Sequence, residues 1–114
     1  MKKIIVFATA ILALAACKQE NNDMLKEKVE SYAVVEVTSP LYDALSENDK
    51  KIVGLFRQAA EIMDGLFWKQ TFGDKSEMEA LTDEYAKAYA MINYGPWDHL
   101  DNNAPFIEGY GEKP

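Results

Sequence analysis

The sequence predicts a mainly α fold: two amphipathic helices, preceded by a short extended segment and followed by an irregular, aromatic-rich C-terminal loop. Three observations carry that reading. Apolar residues recur at helical spacing from about Glu47 to Gln70 and again from Ser76 to Asn93. The β-branched run Tyr32 to Thr38 ends at Ser39-Pro40 and suits a short strand or an extended piece. Tyr94 to Pro114 holds three of the six Gly and three of the four Pro, a density that no regular helix accommodates. A length of 114 residues admits one small domain at most. With 48% apolar and 27% charged residues, the composition is that of a globular protein rather than a disordered or fibrous one.

The first element is an address. Lys2 and Lys3 form a positive head, Ile4 to Leu14 is apolar and uncharged, and Leu14-Ala15-Ala16-Cys17 follows. This is the layout of a signal peptide over residues 1–16. The apolar run falls well short of the roughly 20 residues that a bilayer-spanning helix needs. Leu-Ala-Ala-Cys resembles the bacterial lipobox, which implies cleavage between Ala16 and Cys17 and lipidation of the Cys17 thiol. The expected product is exported and lipid-anchored to a cell-envelope membrane, each buried methylene contributing about 0.8 kcal/mol. A lipid on Cys17 also accounts for a single cysteine in an exported chain, where no intramolecular disulfide can form.

Residues 17–31 read as the lipidated Cys and a tether. Lys18 to Asp23 is polar and aperiodic, and Met24 to Glu30 allows no more than a short helical turn. Residues 32–114 form the remaining unit. Ser46-Glu47-Asn48-Asp49 is a helix start, with Ser46 as N-cap and two acids at the positive end of the dipole. At 100° per residue, Ile52, Leu55, Phe56, Ala59, Ile62, Met63, Leu66 and Phe67 fall within an apolar arc about 180° wide. A helix packed on one neighbour needs only about 100°, so this helix expects more than one partner surface. Gly54 and Gly65 share a narrow side of it, as a weak spot on a solvated face or as a place where another backbone comes close.

Thr71 to Lys75 is a turn, and Ser76-Glu77-Met78-Glu79 fits the S-x-x-E capping box. Met78, Leu81, Tyr85, Ala88, Tyr89 and Ile92 make the buried stripe of the second helix, with Asp83 and Lys87 at supportive spacing on its outer side. Gly95-Pro96 closes it. The tail then carries Tyr94, Trp97, Phe106 and Tyr110, which would be costly to leave in water, so it reads as a loop anchored over a surface.

The chemistry is sparse. A formal net charge of −7 argues against nucleic acid as a partner. There is no Gly-rich phosphate loop, nucleophile elbow or H-E-x-x-H. His99, the one His, lies between Asp98 and Asp101, whose charges favour its protonated form and a surface ion-pair role. Asp98, His99 and Asp101 are too close in sequence to converge readily on one ion, and Glu77 and Glu79 are helix-start charges. No catalytic or metal residue is assigned.

Ala60 to Gln70, the run Ile92-Asn93-Tyr94-Gly95-Pro96-Trp97-Asp98, Pro105 to Gly109 and Gly111 to Pro114 together resemble the N-terminal region of bacterial proteins of the dipeptidyl peptidase III family. These are zinc metallopeptidases, also called Zn-dependent hydrolases, and several are lipoproteins. The resemblance runs from about Tyr32 to Pro114 and implies a two-lobed, mostly helical enzyme that removes dipeptides from peptide N-termini. Its zinc ligands lie on an H-E-x-x-G-H helix and a second motif. None of these residues is in this chain, so the resemblance implies zinc and peptide substrates only for the full-length family, and no cofactor here. This sequence has His99 where the family pattern leads one to expect Arg after Trp-Asp. The expectation is therefore an N-terminal fragment, inactive alone, whose apolar arc and aromatic tail pack against the remainder of a peptidase lobe. The alternative is a complete small lipoprotein acting as a helical binding or interaction module.

Overall fold

The computed structural model describes residues 17–114; the expected signal peptide, including Ala16 at the cleavage site, lies outside them. The described residues are mainly helical, with five helices and one small two-stranded sheet near the C-terminus. Helix α1 covers residues 17–30. Then come α2 (Pro40–Asp43), α3 (Glu47–Thr71), α4 (Lys75–Glu79), α5 (Glu84–Asn93), β1 (Trp97–Asp98) and β2 (Ala104–Pro105).

The stretch expected to be a solvated tether is helix α1 instead. Leu25 is 1% exposed and belongs to the same core as Trp68, Met78, Ala86, Tyr89, Ala90 and Phe106. Asn22 Nδ2 donates to the Asp83 carboxylate, and Lys28 pairs with Asp98. A single buried Leu among polar residues gives no periodic signal. The helix is fixed by contacts made far along the chain, which override weak local preference.

The segment after it is extended, as expected, but pairs with nothing as a strand: Val34, Val35 and Val37 are almost fully exposed. Pro40 does not merely stop it. Its fixed φ and missing N–H suit the first turn of a helix, and it opens α2.

Helix α3 starts as the sequence predicts, the Ser46 hydroxyl accepting from the Asp49 N–H at 3.2 Å. Only Trp68 of its 25 residues is buried. Its last two turns are held by aromatic contacts: Phe67 stands edge-on to Tyr94 with ring centroids 4.7 Å apart, and Trp68 lies 5.1 Å from the same ring. A Cβ placed on Gly54 or Gly65 would meet nothing within 4 Å, so no second backbone approaches them.

The second expected helix is two helices. Asp74, not Ser76, caps α4, accepting from the Ser76 N–H at 2.9 Å. The chain then leaves helical geometry at Ala80 to Asp83, and Asp83 caps α5 by accepting from the N–H groups of Tyr85 and Ala86 at 3.0 and 2.9 Å. Asp83 serves as this cap, where the sequence places it beside Lys87 on the outer side of one continuous helix. An Asp immediately before a helix accepts from the free N–H groups two and three residues on and favours a new start over continuation.

Helix α5 ends at Asn93, as predicted. Tyr94 takes the left-handed conformation (φ 54°) and Gly95 has φ 148°, a region that side chains avoid. A Cβ on Gly95 would also lie 3.3 Å from Phe72 Cβ. The chain reverses here and enters the antiparallel pair, Trp97 opposite Pro105 and Asp98 opposite Ala104. The tail is thus an anchored loop with a minimal hairpin inside it.

Replacing Leu25 by Ala tests the docking of α1. The expected loss is about 2–5 kcal/mol, the range for truncating a buried Leu. It would be read as a lowered denaturant midpoint at unchanged slope. A free tether at residues 17–31 predicts no change.

Candidate functional site

The most organised polar centre lies where α1, α5 and the hairpin meet. Asp98 enters it from β1, 2% exposed. Its carboxylate pairs with the Lys28 ammonium and accepts from the Leu100 N–H at 2.9 Å. Its own carbonyl accepts from the Asp101 and Asn103 N–H groups at 3.2 and 2.9 Å, closing the turn in which Asn102 and Asn103 take positive φ. Lys28 Nζ also sits 5.6 Å above the centre of the Tyr89 ring, a cation–π contact. Burial pushes the Asp98 carboxyl up, but the Lys28 ammonium, the Leu100 N–H and the Tyr89 hydroxyl outweigh it and hold the group below its ordinary value of 3.8. Burial, reinforced by Asp98, pushes the Tyr89 phenol up to about 12.

Asn93 braces the next layer. Its side-chain amide donates to the Tyr89 carbonyl and accepts from the His99 N–H, both at 3.0 Å. Trp97 Nε1 donates to the Gly111 carbonyl at 2.8 Å, fastening the end of the tail. Tyr94 donates to Asp64 Oδ1 at 2.5 Å, which ties this layer to α3.

His99 corrects the sequence expectation. Its exposed ring faces Lys113, whose Nζ lies 3.2 Å from Nε2. Partial burial and the Lys113 charge lower its pKa below 6.5, against a smaller opposing effect of Asp98. The effect of Asp98 is the smaller one, its carboxylate being turned inward to Lys28, and Asp101 stays at the surface. Glu77 and Glu79 also go separate ways. Glu77 accepts from the Tyr110 hydroxyl at 3.3 Å, and Glu79 lies 3.6 Å from Lys75. Among the described residues, no three His, Cys, Asp or Glu side chains are grouped to hold a metal ion. Cys17 is exposed.

A cleft of about 360 Å³ opens beside this centre, lined by Met24, Lys28, Asp98, Asp101, Phe106 and Tyr110 among others. Its one buried acid is already neutralised and its aromatic walls belong to the core. The arrangement is built to hold an ion pair in place rather than to present a reactive group. Lys28 and Asn93, the partners that define it, carry no signal in the sequence: one sits in a polar run and the other before a helix stop.

The second notable surface is the free face of α3. Leu55, Phe56, Ile62 and Met63 are 62–71% exposed, and Ile52, Leu66 and Phe67 are about half exposed. Contiguous apolar area on this scale marks an interaction surface.

Compared with known proteins, the chain is 32% identical over 92 residues to Nudix hydrolase 3 of Arabidopsis thaliana. The similarity takes in 73% of this chain and 12% of the plant protein. No family model and no solved structure matches. The similarity to a Nudix hydrolase overturns the expected kinship with dipeptidyl peptidase III, and with it the metallopeptidase assignment and the reading as a fragment of such an enzyme. The alternative, a complete small interaction module, gains no support from it either. The structure shows why the run Asn93 to Asp98 misleads: it is a helix stop feeding a buried hairpin, and such residues describe packing, not chemistry.

The pH profile of stability tests the centre. Asp98 has a depressed pKa in the fold, so the stability it confers is present above its ordinary value of 3.8 and is lost as pH falls through the lower folded value. His99 is also depressed, so its contribution is present above pH 6.5 and fades as pH falls through its folded value. Thermal melts from pH 8 downward should show two declining limbs. The change His99→Gln should flatten the first and Asp98→Asn the second; a profile insensitive to both contradicts the assignment.

Proposed function

We propose that this chain is a helical packing segment of a larger protein similar to the plant Nudix hydrolase, with the open face of α3 as the surface that packs. The observation that carries the reading is that face. Eight large apolar side chains between Ile52 and Phe67 are exposed on α3, and among the described residues an aromatic contact covers them only at the Phe67 end. Burying each would contribute about 1.5–3 kcal/mol, so covering the arc would be strongly favourable. The chain spans 12% of the length of its plant relative, so the corresponding stretch there is accompanied by much further polypeptide that could provide the cover. Hydrolysis, in the sense of the plant protein's name, belongs in this reading to the larger protein.

The reading includes the membrane. Lipid on Cys17, following the lipobox-like Leu14 to Ala16, tethers the segment to a bacterial cell-envelope membrane. No described helix is long and apolar enough to cross a bilayer, so attachment in this reading is by acyl chains.

Two experiments bear on it. Changing Leu55 and Ile62 to Glu should leave helicity intact, since exposed positions usually cost within about 0.5 kcal/mol. It should sharply reduce the fluorescence of a bound hydrophobic dye; unchanged dye binding refutes the packing face. A stable dimer dissolved by the same changes would assign the face to a second copy instead. Separately, Cys17→Ser should move the protein from the membrane to the soluble fraction, and unchanged partitioning refutes the anchor.

A further inference from the structure

The fastening of α1 gives a lipid anchor a direction. Near its start, Lys18, Asn21 and Asn22 share a cleft with Thr82, Asp83 and Glu108. Asn22 donates to Asp83, Leu25 is buried in the core, and Lys28 pairs with Asp98. These three attachments fall on successive turns of one face, so α1 cannot swing relative to the corner where α5 begins. Cys17 lies only five residues before Asn22, about 7.5 Å along a helix. A free chain over residues 17–31 would instead wander roughly 20 Å and let the domain rotate.

We propose that the domain rides on the membrane in a fixed orientation, with the corner formed by residues 81–83 against the headgroups and Asp98 further from them. This rests on the reading of Cys17 as lipidated, which has its own support in the residues preceding it. Lys28, which holds Asp98, lies eleven residues beyond Cys17, about 16 Å along α1. The cleft at this corner carries Asp83 and Glu108 against Lys18. Like charges within a Debye length of about 10 Å repel, so the surface that suits this corner is zwitterionic rather than anionic.

The test uses the full chain, purified from membranes and reconstituted into phosphatidylcholine vesicles containing a headgroup-nitroxide lipid. Acylation removes the native thiol, so Thr82→Cys and Leu100→Cys, both at exposed positions, each offer one site for a fluorophore. The label at position 82 should be strongly quenched and the label at position 100 weakly. Equal quenching at the two positions, in protein that does partition to membranes, overturns the fixed orientation and leaves the lipid anchor standing. A soluble chain with a titratable Cys17 thiol overturns the anchor, and the orientation with it.

Discussion

A carboxylate taken out of water must find a cation or give up its charge, and Asp98 finds Lys28. The two residues come from opposite ends of the described chain, and their pairing is what brings α1 onto the hairpin. Much else follows from where Asp98 is put. Tyr94 and Gly95 turn the chain so that Trp97 and Asp98 point inward, and Asn93 holds the loop that follows. Leu25 can join the core because Lys28, one turn further on, has a partner there. Removing one member of a buried pair leaves the other uncompensated, which makes such pairs better at fixing arrangement than at adding net stability.

Local rules made the parts with a repeating signal legible. The start and extent of α3 follow from Ser46 and the spacing of its apolar residues, and the end of α5 follows from Gly95-Pro96. What was not legible has a common cause. The docking of α1 and the environment of His99 each depend on a partner distant in sequence, Asp98 and Lys113 respectively. Periodicity reports which face of a helix is apolar, but not whether a polar run will be recruited by one ion pair. The same limit applies to the candidate site. Asp98 and His99 stood out as neighbours in sequence, yet the fold sends one inward and leaves the other outside.

The apolar arc of α3 presents the opposite situation, an expectation met in pattern and unmet in partner. Its width called for more than one packing surface, and the described residues supply cover mainly at the Trp68 end. The aromatic contacts of Phe67, Trp68 and Phe72 with Tyr94 and Trp97 secure that end against the core. The rest of the helix relies on its own hydrogen bonds, its Ser46 cap and side-chain pairs such as Arg57 with Glu61. An isolated helix depends on such local terms, each worth a few tenths of a kcal/mol, whereas a packed one gains far more from burial.

The exposed stretch between α1 and α2 has a consequence of its own. Among the described residues, no backbone hydrogen bond holds positions 33 to 38, and the side chains there project into solvent. Such segments are where proteases cut first. A cut there would sever the covalent link between α1 and everything after it, yet Leu25, Asn22 and Lys28 would still grip the core. The two pieces would behave as a non-covalent complex and part only when salt, acid or denaturant broke the grip.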